Sequence, residues 1–62
     1  MTKIEIRKLG PSSEHLKTVN DPAILSLEEA DSIYINDEVY VVKAKNAHIR
    51  TGEPISYTIW VS

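Results

Sequence analysis

The chain has few side chains that could perform acid–base or nucleophilic chemistry. It contains no cysteine and two histidines, His15 and His48, each within a polar stretch. Ser12 and Ser13 lie close to His15, but a catalytic serine also needs a third group and an oxyanion hole. The two glycines are isolated and cannot form a phosphate-binding loop. We therefore predict a protein that is not an enzyme, with no catalytic residue and no metal or cofactor.

Charged residues are segregated by sign in the second half of the chain. Residues 21–38 contain no lysine or arginine, and residues 39–51 contain no acid. The acids of the first segment, which form a candidate acidic patch, are Asp21, Glu28, Glu29, Asp31, Asp37 and Glu38. Such segregation can steer a protein toward a partner of complementary charge. Ordinary solvated faces produce the same pattern, and six acids are too sparse a set to favour a mimic of nucleic acid.

The basic segment and the aromatic residues supply a second candidate surface. Its members, the candidate interaction residues, are Tyr34, Tyr40, Lys43, Lys45, His48, Arg50, Tyr57 and Trp60. Basic side chains beside exposed aromatic rings on a sheet are typical of modules that bind single-stranded nucleic acid. Trp60 shares a strand face with Ser56 and Thr58, which favours exposure. The usual burial of large aromatic side chains favours the other interpretation, in which Trp60 packs against Leu25 or Leu27, or closes a subunit interface.

Alternating polarity predicts the elements that position these residues. Residues 55–61 alternate apolar and polar side chains without error, which indicates a β-strand with one buried face. The same argument, with turn signals at Gly10-Pro11 and Asn36-Asp37, predicts four strands at about 2–9, 32–36, 38–46 and 55–61. Residues 10–31 should contain one short helix or helical turns. Their start signals are Ser12 or Ser13, Asp21-Pro22, and a capping box at Ser26–Glu29.

The Asn36-Asp37 loop predicts a specific register for the central hairpin. With two residues in the loop, Ile35 faces Glu38 and Ile33 faces Tyr40. One face then carries Ile33, Ile35, Tyr40, Val42 and Ala44, and the other carries Tyr34, Val39, Val41 and Lys43. Both faces are partly apolar, so we expect both to be covered, one by residues 10–31 and one by a sheet or subunit. A three-residue loop would exchange these partners.

The connection between the last two strands is expected to contain a bulge and a turn. A bulge near Asn46 would return Ile49 to the buried face, and Thr51-Gly52-Glu53-Pro54 has the composition of a turn.

Length and composition place the chain in the class of small β-rich domains. We predict a single α+β, mostly β domain over residues 1–62, built as a four-stranded antiparallel sheet or a small SH3-like or OB-like open barrel. A core this small, without disulfides, favours self-association. The predicted function is a non-enzymatic protein-interaction module, such as a phage- or prophage-type regulator or inhibitor, acting as a homodimer on an unidentified protein partner. The alternative is a single-stranded nucleic-acid-binding protein. No signal peptide or membrane span is visible, so we expect a cytoplasmic protein without a membrane partner.

Overall fold

Five strands and one 3₁₀ helix make up the computed structural model, which describes residues 3–62. The elements are β1 (Lys3–Lys8), β2 (His15–Val19), the 3₁₀ helix η1 (Pro22–Ser26), β3 (Ser32–Ile35), β4 (Glu38–His48) and β5 (Ser56–Val61). Thr2, at which the first strand was expected to begin, lies outside the described residues. No helix in the described part of the chain is long and apolar enough to cross a membrane.

The strands form one mixed sheet in the order β2-β1-β5-β4-β3, which curves into a nearly closed barrel. β1 pairs with β5 in parallel, and the other neighbours are antiparallel. The prediction of a mostly β domain is confirmed, but the prediction of four antiparallel strands is wrong. Sequence periodicity identifies strands without giving their direction, and the parallel pair joins residues more than fifty positions apart, Lys3 and Ser56 for example.

β2 occupies a segment that the sequence indicated as a helical turn. Leu16 and Val19 are three residues apart, which is a helical spacing. In the structure both nevertheless pack against the core, because the register with β1 shifts between Ile6 and Arg7. This bulge adds one residue to β2 and returns Leu16 to the buried side. The alternation is thereby broken, and the strand is hidden from a period-two search.

The 3₁₀ helix begins where the Asp21-Pro22 signal predicts. The Asp21 Oδ1 atom accepts a hydrogen bond of 2.9 Å from the Ala23 amide, and Pro22 fills the first helical position. The capping box at Ser26–Glu29 forms no helix: the Ser26 hydroxyl donates back to the Ala23 carbonyl instead. The expected short helix is therefore present only as a 3₁₀ turn that ends at Ser26.

The core lies between η1 and the three central strands. Ile4 and Ile6 from β1, Ile59 and Val61 from β5, and Val42 from β4 are at most 2% exposed. Parallel pairing places Ile6 directly beside Ile59. Each such side chain contributes about 1.5–3 kcal/mol when it is removed from water. The half-buried residues around them include Ile24, Leu25 and Leu27, which cover one side of the core.

The β3–β4 hairpin has the predicted register. Asn36 and Asp37 have φ angles of 51° and 68°, and Ile35 faces Glu38 while Ile33 faces Tyr40. Two positive φ angles are what a two-residue hairpin loop requires, and Asn and Asp tolerate them. The predicted pairing is confirmed.

The expected faces of β4 change after Val42. A register shift lies between Val42 and Ala44, earlier than the bulge predicted near Asn46, so Ala44 pairs with Trp60 instead of continuing the buried face. Ile49 does not return to the core and is 75% exposed. The prediction for these two side chains is wrong, because the sequence does not locate a bulge to the residue. The turn after Arg50 is present, with Gly52 at φ 83°.

Truncation of a central core side chain should unfold much of the protein. We expect Ile59→Ala to lower the free energy of unfolding by about 2–5 kcal/mol, because Ile59 is fully buried beside Ile6. That loss is comparable to the whole stability expected of so small a core. Urea unfolding followed by circular dichroism measures it. The matched control is Ile49→Ala, which should change stability by less than about 0.5 kcal/mol. Equal effects of the two substitutions would contradict this description of the core.

Candidate functional site

The outer face of the β1–β5–β4 sheet is built from the polar positions of three neighbouring strands. Because Ile4, Ile6, Ile59 and Val61 point inward, the alternate residues point outward. We call this surface the polar face. Its members are Lys3, Glu5 and Arg7 on β1, Ser56, Thr58 and Trp60 on β5, and Asn46 and His48 on β4.

Two diagonal hydrogen bonds join β4 to β5 across the polar face. The Trp60 Nε1–H group donates to Asn46 Oδ1 at 2.8 Å, and His48 Nε2 lies 2.9 Å from Thr58 Oγ1. Thr58 is only 5% exposed, so this bond satisfies a buried hydroxyl. Trp60 is half-buried on the outside of the barrel, on the face opposite to Leu25 and Leu27. The favoured packing of Trp60 under residues 10–31 is thus not observed, and its closure of a subunit interface stays a prediction.

An ion-pair network runs along β1 on the same face. The Glu5 carboxylate accepts from Arg7 Nε at 3.0 Å and lies 3.3 Å from Lys3 Nζ. Arg7 also donates to the Ser13 carbonyl oxygen at 3.0 Å, which fixes the loop that leads into β2. The hydrogen bond from Arg7 is the largest cause that holds the pKa of Glu5 below its ordinary value of 4.5, against a smaller opposing effect of desolvation.

A groove of about 320 Å³ lies at one end of the polar face, beneath the β4–β5 loop. Its lining includes Lys3, Glu5, His48, Arg50, Glu53, Pro54, Ser56, Tyr57 and Thr58. The structure therefore brings together three of the predicted interaction residues: His48, Arg50 and Tyr57. The fixed charges of Lys3 and Arg50 are balanced by those of Glu5 and Glu53, so the groove has no excess of positive charge. It can bind a polar group but does not favour a polyanion.

The remaining basic residues among the candidate interaction residues, Lys43 and Lys45, do not line the groove. Lys45 pairs with Ile59, which is an inward position, and its Nζ atom donates to the Leu25 carbonyl oxygen at 2.8 Å. It connects β4 to η1 and is directed away from the polar face. Lys43 is exposed at the register shift of β4. Lys45 is therefore separated from the predicted surface around Trp60.

The outer face of the β3–β4 hairpin is apolar and open. Tyr34 and Val39 are directly opposite each other in the register and are 76% and 56% exposed. Within residues 3–62 no sheet covers this pair, so the expected cover by a second subunit stays a prediction. We call Tyr34 and Val39 the apolar pair. The other predicted tyrosine, Tyr40, faces the core side and donates its hydroxyl to Glu38 Oε2 at 2.9 Å.

The predicted acidic patch is divided between the two ends of β3. Asp21, Glu28, Glu29 and Asp31 precede the strand, whereas Asp37 and Glu38 follow it. Two of these acids have structural partners in the backbone: Asp21 caps η1, and Asp31 Oδ2 accepts from the Glu28 amide at 2.7 Å.

Several groups of the polar face were not identified from the sequence. Glu5, Arg7, Asn46 and Thr58 acquire their roles only when β1, β5 and β4 are placed side by side. The alternation of β1 and β5 predicts that these side chains share outward faces, but not that they touch. Among residues 3–62, no group of three or more histidines and carboxylates is positioned to hold a metal ion.

Acidification should reveal the contribution of the Glu5 ion pairs to stability. The pKa of Glu5 is lower in the folded chain than its ordinary value of 4.5. Its ion pairs therefore stabilise the fold above pH 4.5, and this stabilisation is lost as the pH falls through the pKa of Glu5 in the folded chain. We expect Glu5→Gln to make the loss of stability below about pH 5 shallower. Urea midpoints measured at several acidic pH values test this. The control is Glu29→Gln, an exposed carboxylate in the turn before β3, and an equally shallow profile for it would contradict the assignment.

Two surfaces thus remain as candidates for function: the polar face with its groove, and the apolar pair on the hairpin. The first is rich in internal hydrogen bonds and has a groove of balanced charge, and the second presents apolar side chains to solvent. Comparison of the chain with protein-family models, with curated proteins and with solved structures found no significant match.

Proposed function

We propose that this protein is a non-enzymatic protein-interaction module that acts as a homodimer, with two copies meeting through the outer face of the β3–β4 hairpin. The observation that carries the proposal is the exposure of Tyr34 beside Val39. Tyrosine is enriched at the centres of protein interfaces, where its ring supplies contact area at a low entropic cost.

The edge position of β3 supports the role as an interaction module, although it does not specify the partner. β3 is the last strand in the sheet order, and its residues Ser32–Ile35 include no charge and no proline. Charged residues and prolines usually protect an exposed sheet edge from association. An edge without them, next to an apolar pair, favours contact with another polypeptide.

The small size of the core supplies an independent argument. Only five apolar side chains are fully buried in the described residues. Domains of this length bury a smaller share of their surface than larger ones and often gain stability from a partner subunit. A homodimer would shield the apolar pair twice through one symmetric contact, because a two-fold interface uses the same patch on both subunits.

Placement of a charge at the apolar pair should weaken the dimer without unfolding the chain. We expect the wild type to show a concentration-dependent increase in mass in sedimentation equilibrium. Tyr34→Lys should shift this association to much higher protein concentration, because each dimer would bring two lysines into an apolar contact.

The control substitution is Ile49→Lys. Ile49 is as exposed as Tyr34 but lies in the β4–β5 loop, outside the hairpin. Its association should match that of the wild type. A wild type that stays monomeric at every concentration, or equal weakening by the two substitutions, would disprove the hairpin dimer.

A second candidate function, the binding of single-stranded nucleic acid, is supported by the position of Trp60. The indole lies on the outside of the barrel, and Arg7 is its register neighbour on β1. The aromatic ring can stack on a nucleobase, and the neighbouring arginine can contact the phosphate of the same nucleotide. The balanced charge of the groove and the inward direction of Lys45 reduce the phosphate-binding term, so this function ranks second.

Titration with a labelled oligonucleotide at low salt separates the two functions. If nucleic acid is the ligand, fluorescence anisotropy should rise on addition of the protein, and Trp60→Leu should weaken binding by the roughly 1–3 kcal/mol of one stacked base. The control Tyr34→Ser should leave the affinity unchanged. No rise in anisotropy with the wild type would remove this function.

A further inference from the structure

The barrel has one open seam, where its two edge strands face each other. β2 and β3 are the two ends of the sheet order, and no ladder joins them among the described residues. A groove of about 310 Å³ lies between the start of β2 and the tip of the β3–β4 hairpin. We call this groove the seam. Its lining residues are Glu14, His15, Leu16, Ile35, Asn36, Glu38 and Tyr40.

The backbone of β3 is free to bond toward the seam. In a hairpin with a two-residue loop, the residues that flank the loop bond to each other, and hydrogen-bonded pairs then alternate along the strands. Ile35 and Ile33 therefore bond to β4, whereas the N–H and C=O groups of Ser32 and Tyr34 point away from it. Within residues 3–62, no backbone hydrogen bond outside the strand ladder uses Ser32 or Tyr34.

The side chains of the seam combine an apolar floor with an acidic rim. Leu16, Ile35 and Tyr40 are half-buried and pack against the core. Glu14 and Glu38 lie at the rim, and no lysine or arginine lines the groove. The remaining titratable group is His15, whose Nε2 atom lies 2.7 Å from Thr18 Oγ1.

The pKa of the Tyr40 hydroxyl reflects the negative charge at the rim of the seam. Its hydrogen bond to Glu38 is the main cause that raises the pKa of Tyr40, and the charge of Glu14, from the far side of the seam, acts in the same direction. The two carboxylates thus act on one point in the groove. A cationic side chain placed there would face both of them.

We infer that the seam binds an extended, basic segment of a partner protein, which adds as a strand to the free edge of β3. Alternate side chains of an added strand point to opposite faces. One set, lysines or arginines, would enter the groove and contact Glu14 and Glu38 while their aliphatic stems lie on Leu16 and Ile35. The other set would point to the outside of the sheet. Strand addition of this kind takes its affinity from main-chain hydrogen bonds and its specificity from the alternate side chains.

The charge of the seam points to a different protein rather than to a second copy. The β3 strand of another copy contains no base and is followed by Asp37 and Glu38. The basic β1 strand of another copy is central in its own sheet and has no free edge, and its edge strand β2 carries a single lysine, Lys17, directly after Glu14 and His15-Leu16. The inference rests on the proposed role as an interaction module but not on the dimer, because the apolar pair uses the hairpin face and the seam uses its edge.

Synthetic peptides provide the test. The probe is a capped five-residue peptide of alternating lysine and valine, and two matched peptides replace lysine with glutamate or carry N-methyl groups on alternate residues. We expect the lysine peptide to shift backbone amide resonances of residues 14–16 and 32–36 in ¹⁵N spectra. The glutamate peptide should bind at least about tenfold more weakly, and the N-methylated peptide should not shift β3.

Paired substitutions in the protein test the role of the rim. The double substitution Glu14→Gln and Glu38→Gln should lower the affinity for the lysine peptide by about fivefold or more and reduce the salt dependence of binding. The control pair is Glu28→Gln with Glu29→Gln, which lies before β3, outside the seam, and should bind like the wild type.

The outcomes distinguish this inference from the dimer. Equal binding of the lysine and glutamate peptides, unchanged binding of the N-methylated peptide, or shifts confined to the polar face would each overturn the seam as a site. No binding at all would also overturn it. Because sedimentation of the free protein measures self-association separately, failure of the seam leaves the dimer standing, and failure of the dimer leaves the seam standing.

Discussion

The parallel pairing of β1 with β5 holds the two halves of this chain together. The β1–β2 hairpin and the β3–β4–β5 meander are each local antiparallel units, and neither encloses a core alone. Their junction places Ile4 and Ile6 beside Tyr57 and Ile59, and so creates most of the buried interior. Since these contacts join opposite ends of the sequence, their formation closes a long loop, which costs entropy before the contacts repay it.

Two register shifts then decide which side chains reach the inside. The shift opposite β2 returns Leu16 to the core, and the shift in β4 turns Ala44 outward beside Trp60. After the second shift, Asn46 and His48 lie on the outside, where they bond to Trp60 and Thr58. A bulge also increases the local twist of a strand, which fits the curvature of a nearly closed barrel.

The closed part and the open part of the barrel differ in what they present to solvent. The central strands expose a polar face whose groups largely satisfy one another through hydrogen bonds and ion pairs. The β3–β4 hairpin exposes unsatisfied features: the apolar pair Tyr34 and Val39, and the unpaired edge of β3. Polar groups that already bond to one another contribute little free energy to the binding of a partner. Exposed apolar side chains and free backbone groups contribute more. Both proposals therefore place binding at the hairpin.

Local sequence was sufficient for the features that depend on neighbouring residues. The alternation of residues 55–61 predicted β5, the Asn36-Asp37 loop predicted the hairpin register, and Asp21-Pro22 predicted the start of η1. Each depends on side-chain periodicity or on backbone preferences within a few residues. The tertiary structure alone decided the parallel direction of β1 and β5, the positions of both bulges, and the strand identity of β2. It also separated Lys45 from His48 and Arg50, and left the seam open between β2 and β3. Those features depend on contacts between distant segments, whose geometry is set by the packing of the whole core and not by any stretch of sequence.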